Sequence, residues 1–249
     1  MRKEFSPSYG KWFLTDVVHA IENYALIERS EKVCVALSGG RDSTTLLSIL
    51  WLLRAYSHLR FDLCALHVRT GDYDTATLGA LCSELGVEYL ETRLESGHQE
   101  PVGNPCYVCA RLRRGAMAKA LSGTGIRKVA YGHHADDAAE TLFMNIALNR
   151  KLGSFCPRVE IPDADLVIIR PMVYLDAKRI ARVHDHLLLP VLDHRCPYET
   201  ANPRNLFRQG LRDMDTLFRT RGFARNVVAA LENVDFTNLW QGKPDTEIG

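Results

Sequence analysis

A parallel, doubly wound α/β sheet with helices on both faces is what this sequence predicts. Three observations carry that expectation. Short Val-, Ile- and Leu-rich runs alternate with helix-length segments. Polar, reactive residues recur where those runs end. A Ser38-Gly39-Gly40 turn joins the first run to a helix.

The elements follow in order. Val17, Val18, Ile21 and Tyr24 or Ala25 share one face of an amphipathic helix within the first thirty residues. Lys32 to Leu37 is a Val-rich strand that stops at Ser38. Residues 43–55 form a helix apolar nearly all round, hence buried. Phe61 to Val68 is a second strand, Thr75 to Leu85 a helix closed by Gly86, and Val87 to Leu94 a third strand. Residues 109–121 are helical, with Leu112, Ala116, Met117, Ala120 and Leu121 on one side. Lys128 to Tyr131 is a fourth strand before a helix over Asp136 to Leu148. Leu166 to Ile169 is a fifth, ending at Arg170-Pro171, and Asp176 caps a helix through Leu188. From Pro203 onward the tail is helical, striped by Phe207, Leu211, Met214 and Phe218. The expected organisation is an N-terminal helical segment (1–30), an α/β domain (31–195) and a C-terminal helical extension (196–249).

Composition narrows the class. The 249 residues are 46% hydrophobic and 24% charged, with a net charge of +1, ordinary for a globular chain and no signature of bulk polyanion binding. Met1 to Pro7 lacks the apolar stretch of a signal peptide, and the run Leu46 to Leu53 is too short to span a bilayer. A cytoplasmic chain without membrane attachment is expected. Seven cysteines, an odd number, argue against a disulfide framework. Cys34, Cys64 and Cys82 lie among apolar neighbours and read as core thiols.

Two motifs point to nucleotide chemistry. Ser38-Gly39-Gly40-Arg41-Asp42-Ser43 offers glycines for close backbone approach, serine hydroxyls, a guanidinium and a helix N-terminus, all suited to phosphate. It lacks the Gly-Lys-Ser/Thr ending of a Walker loop, and a ligand-free turn has the same composition. In Gly132-His133-His134-Ala135-Asp136-Asp137-Ala138-Ala139-Glu140-Thr141, acidic residues open a helix. They complement its dipole, or they hold Mg²⁺ opposite a phosphate loop.

The cysteines leave more choices open. Cys106 and Cys109 stand at the head of a helix rich in arginine, and Cys196 comes much later. Three ligands of an iron–sulfur cluster, a zinc site completed by His194 or His184, a redox dithiol and unligated thiols all accommodate this spacing. Arg204, Arg208 and Arg212 fall at successive helical turns, interrupted by Asp215, and with Arg111 and Arg114 they are candidate RNA contacts. A solvated helix face is the plainer explanation of such a stripe.

The Ser-Gly-Gly-x-Asp-Ser loop resembles that of the PP-loop ATP pyrophosphatase superfamily, with Arg41 where Lys is common. Cys-x-x-Cys-x-x-Leu-Arg-Arg-Gly, Gly-His-His-x-Asp-Asp-x-x-Glu-Thr, Ile169-Arg170-Pro171 and a late Cys before Asn-Leu-x-Arg-Gln are similar to the tRNA 2-thiocytidine synthetase family from about Lys32 to Gln209. Cys196-Pro197-Tyr198-Glu199 departs from that family's paired late cysteines.

The resemblance implies an ATP-dependent sulfurtransferase acting on a tRNA cytidine. Cys106, Cys109 and Cys196 would bind a [4Fe–4S] cluster, while position at the strand ends assigns Asp42 and Asp137 to Mg²⁺. ATP would meet Ala36, Ser38, Gly39, Gly40, Arg41, Asp42, Ser43, His67, Gly132 and His133. Implied partners are tRNA and a sulfur donor, either a cysteine desulfurase or inorganic sulfide, and a homodimer is compatible. Three alternatives stand beside this reading: amine transfer of the lysidine-synthetase kind, thiolation of a small molecule, and non-catalytic RNA or metal binding.

Overall fold

The computed structural model describes residues 10–94, 105–192, 204–220 and 222–240, with the backbone alone at 105 and 106. Its centre is a six-stranded sheet in the order β3-β2-β1-β4-β6-β5. The strands are β1 (Lys32–Ala36), β2 (Asp62–Arg69), β3 (Glu88–Arg93), β4 (Lys128–Ala130), β5 (Arg158–Ile161) and β6 (Leu166–Ile169). All neighbours pair in parallel except β5 with β6.

The chain therefore winds outward from β1 through β2 and β3, then returns to lay β4 on the other side of β1. The order reverses between β1 and β4, the switch point at which sheets of this kind bind ligands in the crevice beyond the strands' carboxyl ends. Both glycine-bearing motifs begin there.

The helices are α1 (Lys11–Asn23), α2 (Arg41–Tyr56), α3 (Ala76–Leu85), α4 (Pro105–Leu121), α5 (Ala135–Asn149), α6 (Ala177–Leu187), α7 (Arg204–Leu217) and α8 (Phe223–Glu232). Ten of the sixteen residues of α2 are buried, as its all-round apolarity predicts. Phe13, Val17, Ala20 and Ile21 of α1 join the same core as α2 and the sheet. Cys34, Cys64 and Cys82 are fully buried, matching their apolar contexts. Asp176 caps α6 by accepting from Arg179 N at 2.8 Å, and Gly86 ends α3 in the left-handed conformation.

Three expectations needed correction. A sixth strand, β5, adds an antiparallel edge; at four residues, alternately exposed and half-buried, it is too short for a clear period-two signal. Helix α4 starts at Pro105 rather than at 109, using proline's fitness for the first helical position. The tail is two helices, parted before Gly222, whose φ of 132° no helix accommodates. Of the expected stripe only Leu211 is buried. It packs with Ala224, Val227 and Val228 of α8 against Ala135, Ala138 and Ala139 of α5. Phe218 is exposed and stacks on Phe223.

Candidate active site

The β1–α2 loop is held by its own hydroxyls. Ser38 N donates to Ser43 Oγ at 3.1 Å, the two hydroxyls meet at 3.0 Å, and Gly40 N donates to Ser38 Oγ at 3.3 Å. Gly39 has a φ of +85°, and a Cβ there would lie 2.5 Å from Leu192 Cδ1. Glycine is thus required on both counts. At Gly40 a Cβ would meet only Ser38 Oγ, at 3.5 Å, so the space beside it is open. Gly40 opens α2 without a side-chain cap, which leaves the helix end to an anion.

The β4–α5 loop closes on this one. A Cβ on Gly132 would stand 3.0 Å from Asp42 C and 3.1 Å from Ser43 N, both backbone atoms that cannot swing aside. That close approach brings Asp42 to the carboxylates of α5. His134 Nε2 lies between Asp42 Oδ2 (3.9 Å) and Asp137 Oδ2 (3.5 Å), and its Nδ1 is 3.4 Å from Asp136 Oδ2. Asp137 Oδ2 also accepts from His134 N at 3.1 Å, closing the first turn of α5. Asp136 is turned to another task and accepts from Ala177 N at 2.7 Å, at the start of α6.

The charges follow from this arrangement. Burial opposes a charged His134, but the three carboxylates outweigh it and lift its pKa to about 9. Asp42 is raised by burial and by Asp137, against the pull of His134. His133, next in sequence, is instead depressed to about 4 by burial. His67 is buried between Leu37 O (2.7 Å from Nδ1) and the Tyr73 hydroxyl (3.1 Å from Nε2), and burial lowers its pKa.

The remaining residues fall around this centre. Glu140 is fully buried and takes a two-pronged ion pair from Arg208 of α7, at 2.7 and 3.2 Å. Arg204 approaches Asp137 Oδ1 at 4.0 Å, and Arg212 donates to Gln209. Arg111 is exposed and Arg114 half-buried on α4. Cys109 is a partly exposed free thiol on the first turns of α4, one turn beyond Cys106 in the backbone. A free, accessible thiol at a helix start suits a soft metal or cluster. Cys196 and His194 lie outside the described residues. Among the described residues no three acidic, His or Cys side chains form a metal cage, so a hard ion at Asp42 and Asp137 would need phosphate oxygens to complete its shell.

Sequence reasoning passed over His134 and the pairing of Glu140 with Arg208. The doubled histidine after a strand-ending glycine was the available signal for the first. The second joins residues sixty-eight apart and carried no local signal.

A loop that receives phosphate, facing carboxylates across a switch point, defines a nucleotide-binding α/β domain. The chain belongs to the PP-loop domain family, whose model matches residues 13–213. It is 35% identical over 230 residues to a tRNA-cytidine(32) 2-sulfurtransferase of Pseudomonas syringae pv. tomato, a match covering 88% of this chain and 82% of that protein. The enzyme of the same name from Haemophilus ducreyi is 32% identical over 232 residues, covering 90% of this chain and 73% of the relative. The fold is also similar to that of the U34-tRNA thiolase NcsA from Methanococcus maripaludis, solved with its [4Fe-4S] cluster. The TM-score is 0.71 at 19% identity, over 89% of this chain and 78% of that one. No described helix is long and apolar enough to cross a membrane.

Proposed function

We propose that this chain uses ATP to thiolate a tRNA cytidine. The observation that carries the reading is the Gly132 contact, which brings the loop opening the carboxylate-bearing helix against the backbone of the phosphate loop at Asp42 and Ser43. The likeness to tRNA-cytidine(32) 2-sulfurtransferases over most of both chains supports the substrate class.

In this reading the backbone at Ala36 and His67 borders the adenosine, and Ser38 to Ser43, Arg41 included, receive the pyrophosphate. Gly132 lets the β4–α5 loop approach the phosphate loop, and the following His133 would meet the nucleotide. Asp42 and Asp137 would hold Mg²⁺ on the phosphates. The cytidine 2-oxygen attacks the α-phosphorus, and pyrophosphate leaves. Sulfide then adds at carbon 2, and the original oxygen departs with AMP. Cys106, Cys109 and Cys196 would hold a [4Fe–4S] cluster, which supplies that sulfide when bound. Arg111, Arg114, Arg204 and Arg212 are offered to the tRNA backbone. Arg208 has less to give while Glu140 holds it. The sulfur comes from a cysteine desulfurase or inorganic sulfide, and the reaction belongs in the cytoplasm.

The test incubates anaerobically reconstituted protein with ATP, Mg²⁺, sulfide and an unmodified tRNA. Thiolated cytidine by mass spectrometry, with AMP and pyrophosphate in equal amounts, is expected from the wild type, and in Cys106→Ala the thiolated cytidine should vanish while pyrophosphate release from the adenylation step remains. Adenylate formation with no sulfur in the tRNA, from protein that stays iron-free, would overturn the thiolation reading and favour another nucleophile.

A further inference from the structure

The Arg170-Pro171 pair that ends β6 has so far no role. Arg170 Nε donates to His133 Nδ1 at 3.3 Å. Its Nη1 donates to Cys156 O at 2.5 Å, and its guanidinium lies 4.7 Å from the centroid of the Phe155 ring. The backbone N–H of Arg170 is itself anchored on Pro157 O at 2.9 Å. The imidazole is bracketed too: it stacks on Tyr131 at 5.7 Å with 11° between planes, and meets Phe155 at 5.2 Å.

The donor's identity decides the tautomer. A guanidinium has five N–H donors and no acceptor, so the nitrogen facing it must offer a lone pair. Nδ1 of His133 is therefore unprotonated, and the single ring proton resides on Nε2. Burial keeps the ring neutral, in line with a pKa near 4. His134 does not take this part, because both of its ring nitrogens are turned to the carboxylates of Asp42, Asp136 and Asp137.

We propose that Arg170 is a positioning residue that fixes His133 as the neutral Nε2–H tautomer, so that this N–H donates to a phosphate oxygen of the bound nucleotide. The second half of the statement rests on the ATP-using function proposed above; the first half stands without it. Arg170 acts through His133, while its own charge is spent on Cys156 O and the Phe155 face.

The test begins with the unsubstituted protein. Its nine histidines carry ring-nitrogen signals that long-range proton–nitrogen NMR resolves, and His133→Asn assigns the relevant pair. At pH 7 His133 should show a protonated Nε2 and an unprotonated Nδ1. In Arg170→Met the two nitrogens should move toward the averaged shifts of exchanging tautomers. ATP affinity should fall about tenfold, as for a lost hydrogen bond to a charged group, with adenosine affinity unchanged. A protonated Nδ1 in the wild type, or an unaltered signature in Arg170→Met, overturns the proposal. The wild-type spectrum decides the matter even if the variant fails to fold. Should the tautomer behave as stated while neither ATP nor AMP binds, the phosphate contact and the functional reading fail together, and the positioning role survives.

Discussion

The two loops at the switch point solve the same local problem in opposite ways. Each leads from a strand into a helix whose first N–H groups lack intrahelical partners. The β1–α2 loop leaves the end of α2 uncapped by any side chain and keeps open space beside Gly40. The β4–α5 loop closes its helix with Asp137 and gathers carboxylates about His134. One is prepared for an anion, the other for a cation. Their contact at Gly132 is what makes the pair a single site.

The most damaging way to break this contrast is to loosen the brace behind the second loop. Arg208→Ala would leave Glu140 fully buried and unpaired, a loss of about 3 kcal/mol in urea unfolding. The α2 side of the crevice should remain ordered in hydrogen exchange. Asp137→Ala attacks the cation side directly. Pyrophosphate release should fall about a hundredfold, as for loss of a group that stabilises transferred charge; unchanged release would rule out a metal role for this carboxylate.

The third prediction concerns pH. The pKa of His134 is raised from 6.5 to about 9, so its favourable charge is fully present below pH 6.5 and is lost as pH rises through 9. In metal-free protein, wild type should exceed His134→Asn in stability by about 2 kcal/mol at pH 6, converging by pH 10. Asparagine keeps a good helix cap, and since the loss of ring volume does not vary with pH, the pH-dependent part of the difference reports the charge. A gap independent of pH would mean that the imidazole is neutral. The smallest effect is expected on the anion side. Gly40→Ala has room and an allowed backbone, so stability should change by less than about 0.5 kcal/mol. ATP affinity should nevertheless drop about tenfold as the methyl enters the cradle. An equal affinity would mean that phosphate does not use that space.

Much of the molecule was legible from its residues. The run Leu166–Ile169 matches β6 residue for residue, because four consecutive β-branched or leucine residues between Asp165 and Arg170 leave no other choice. Gly86, Asp176 and the buried character of α2 were equally clear. The edge strand β5 was not. Arg158 and Glu160 face solvent and pair with each other at 2.9 Å, so the segment presents too little apolar pattern to distinguish a strand from a loop. The arginine stripe of α7 misled in a different manner. Its periodicity was real, but one of its members, Arg208, though half-exposed, is held by the buried Glu140. Helical spacing records which residues share a face and is silent about what that face meets.

Local chemistry, readable along the chain, determined which loops would bind phosphate and which would carry carboxylates, since glycine's backbone freedom and a helix end are properties of a few adjacent residues. Only the tertiary structure decided the charges within the site. His133 and His134 are the same residue type in consecutive positions. One is surrounded by aromatic rings and a guanidinium and stays neutral, while the other meets three carboxylates and is held protonated. A pKa depends on the solvent and charges within a few ångströms, and here those arrive from β4, β6, α2 and α5 together.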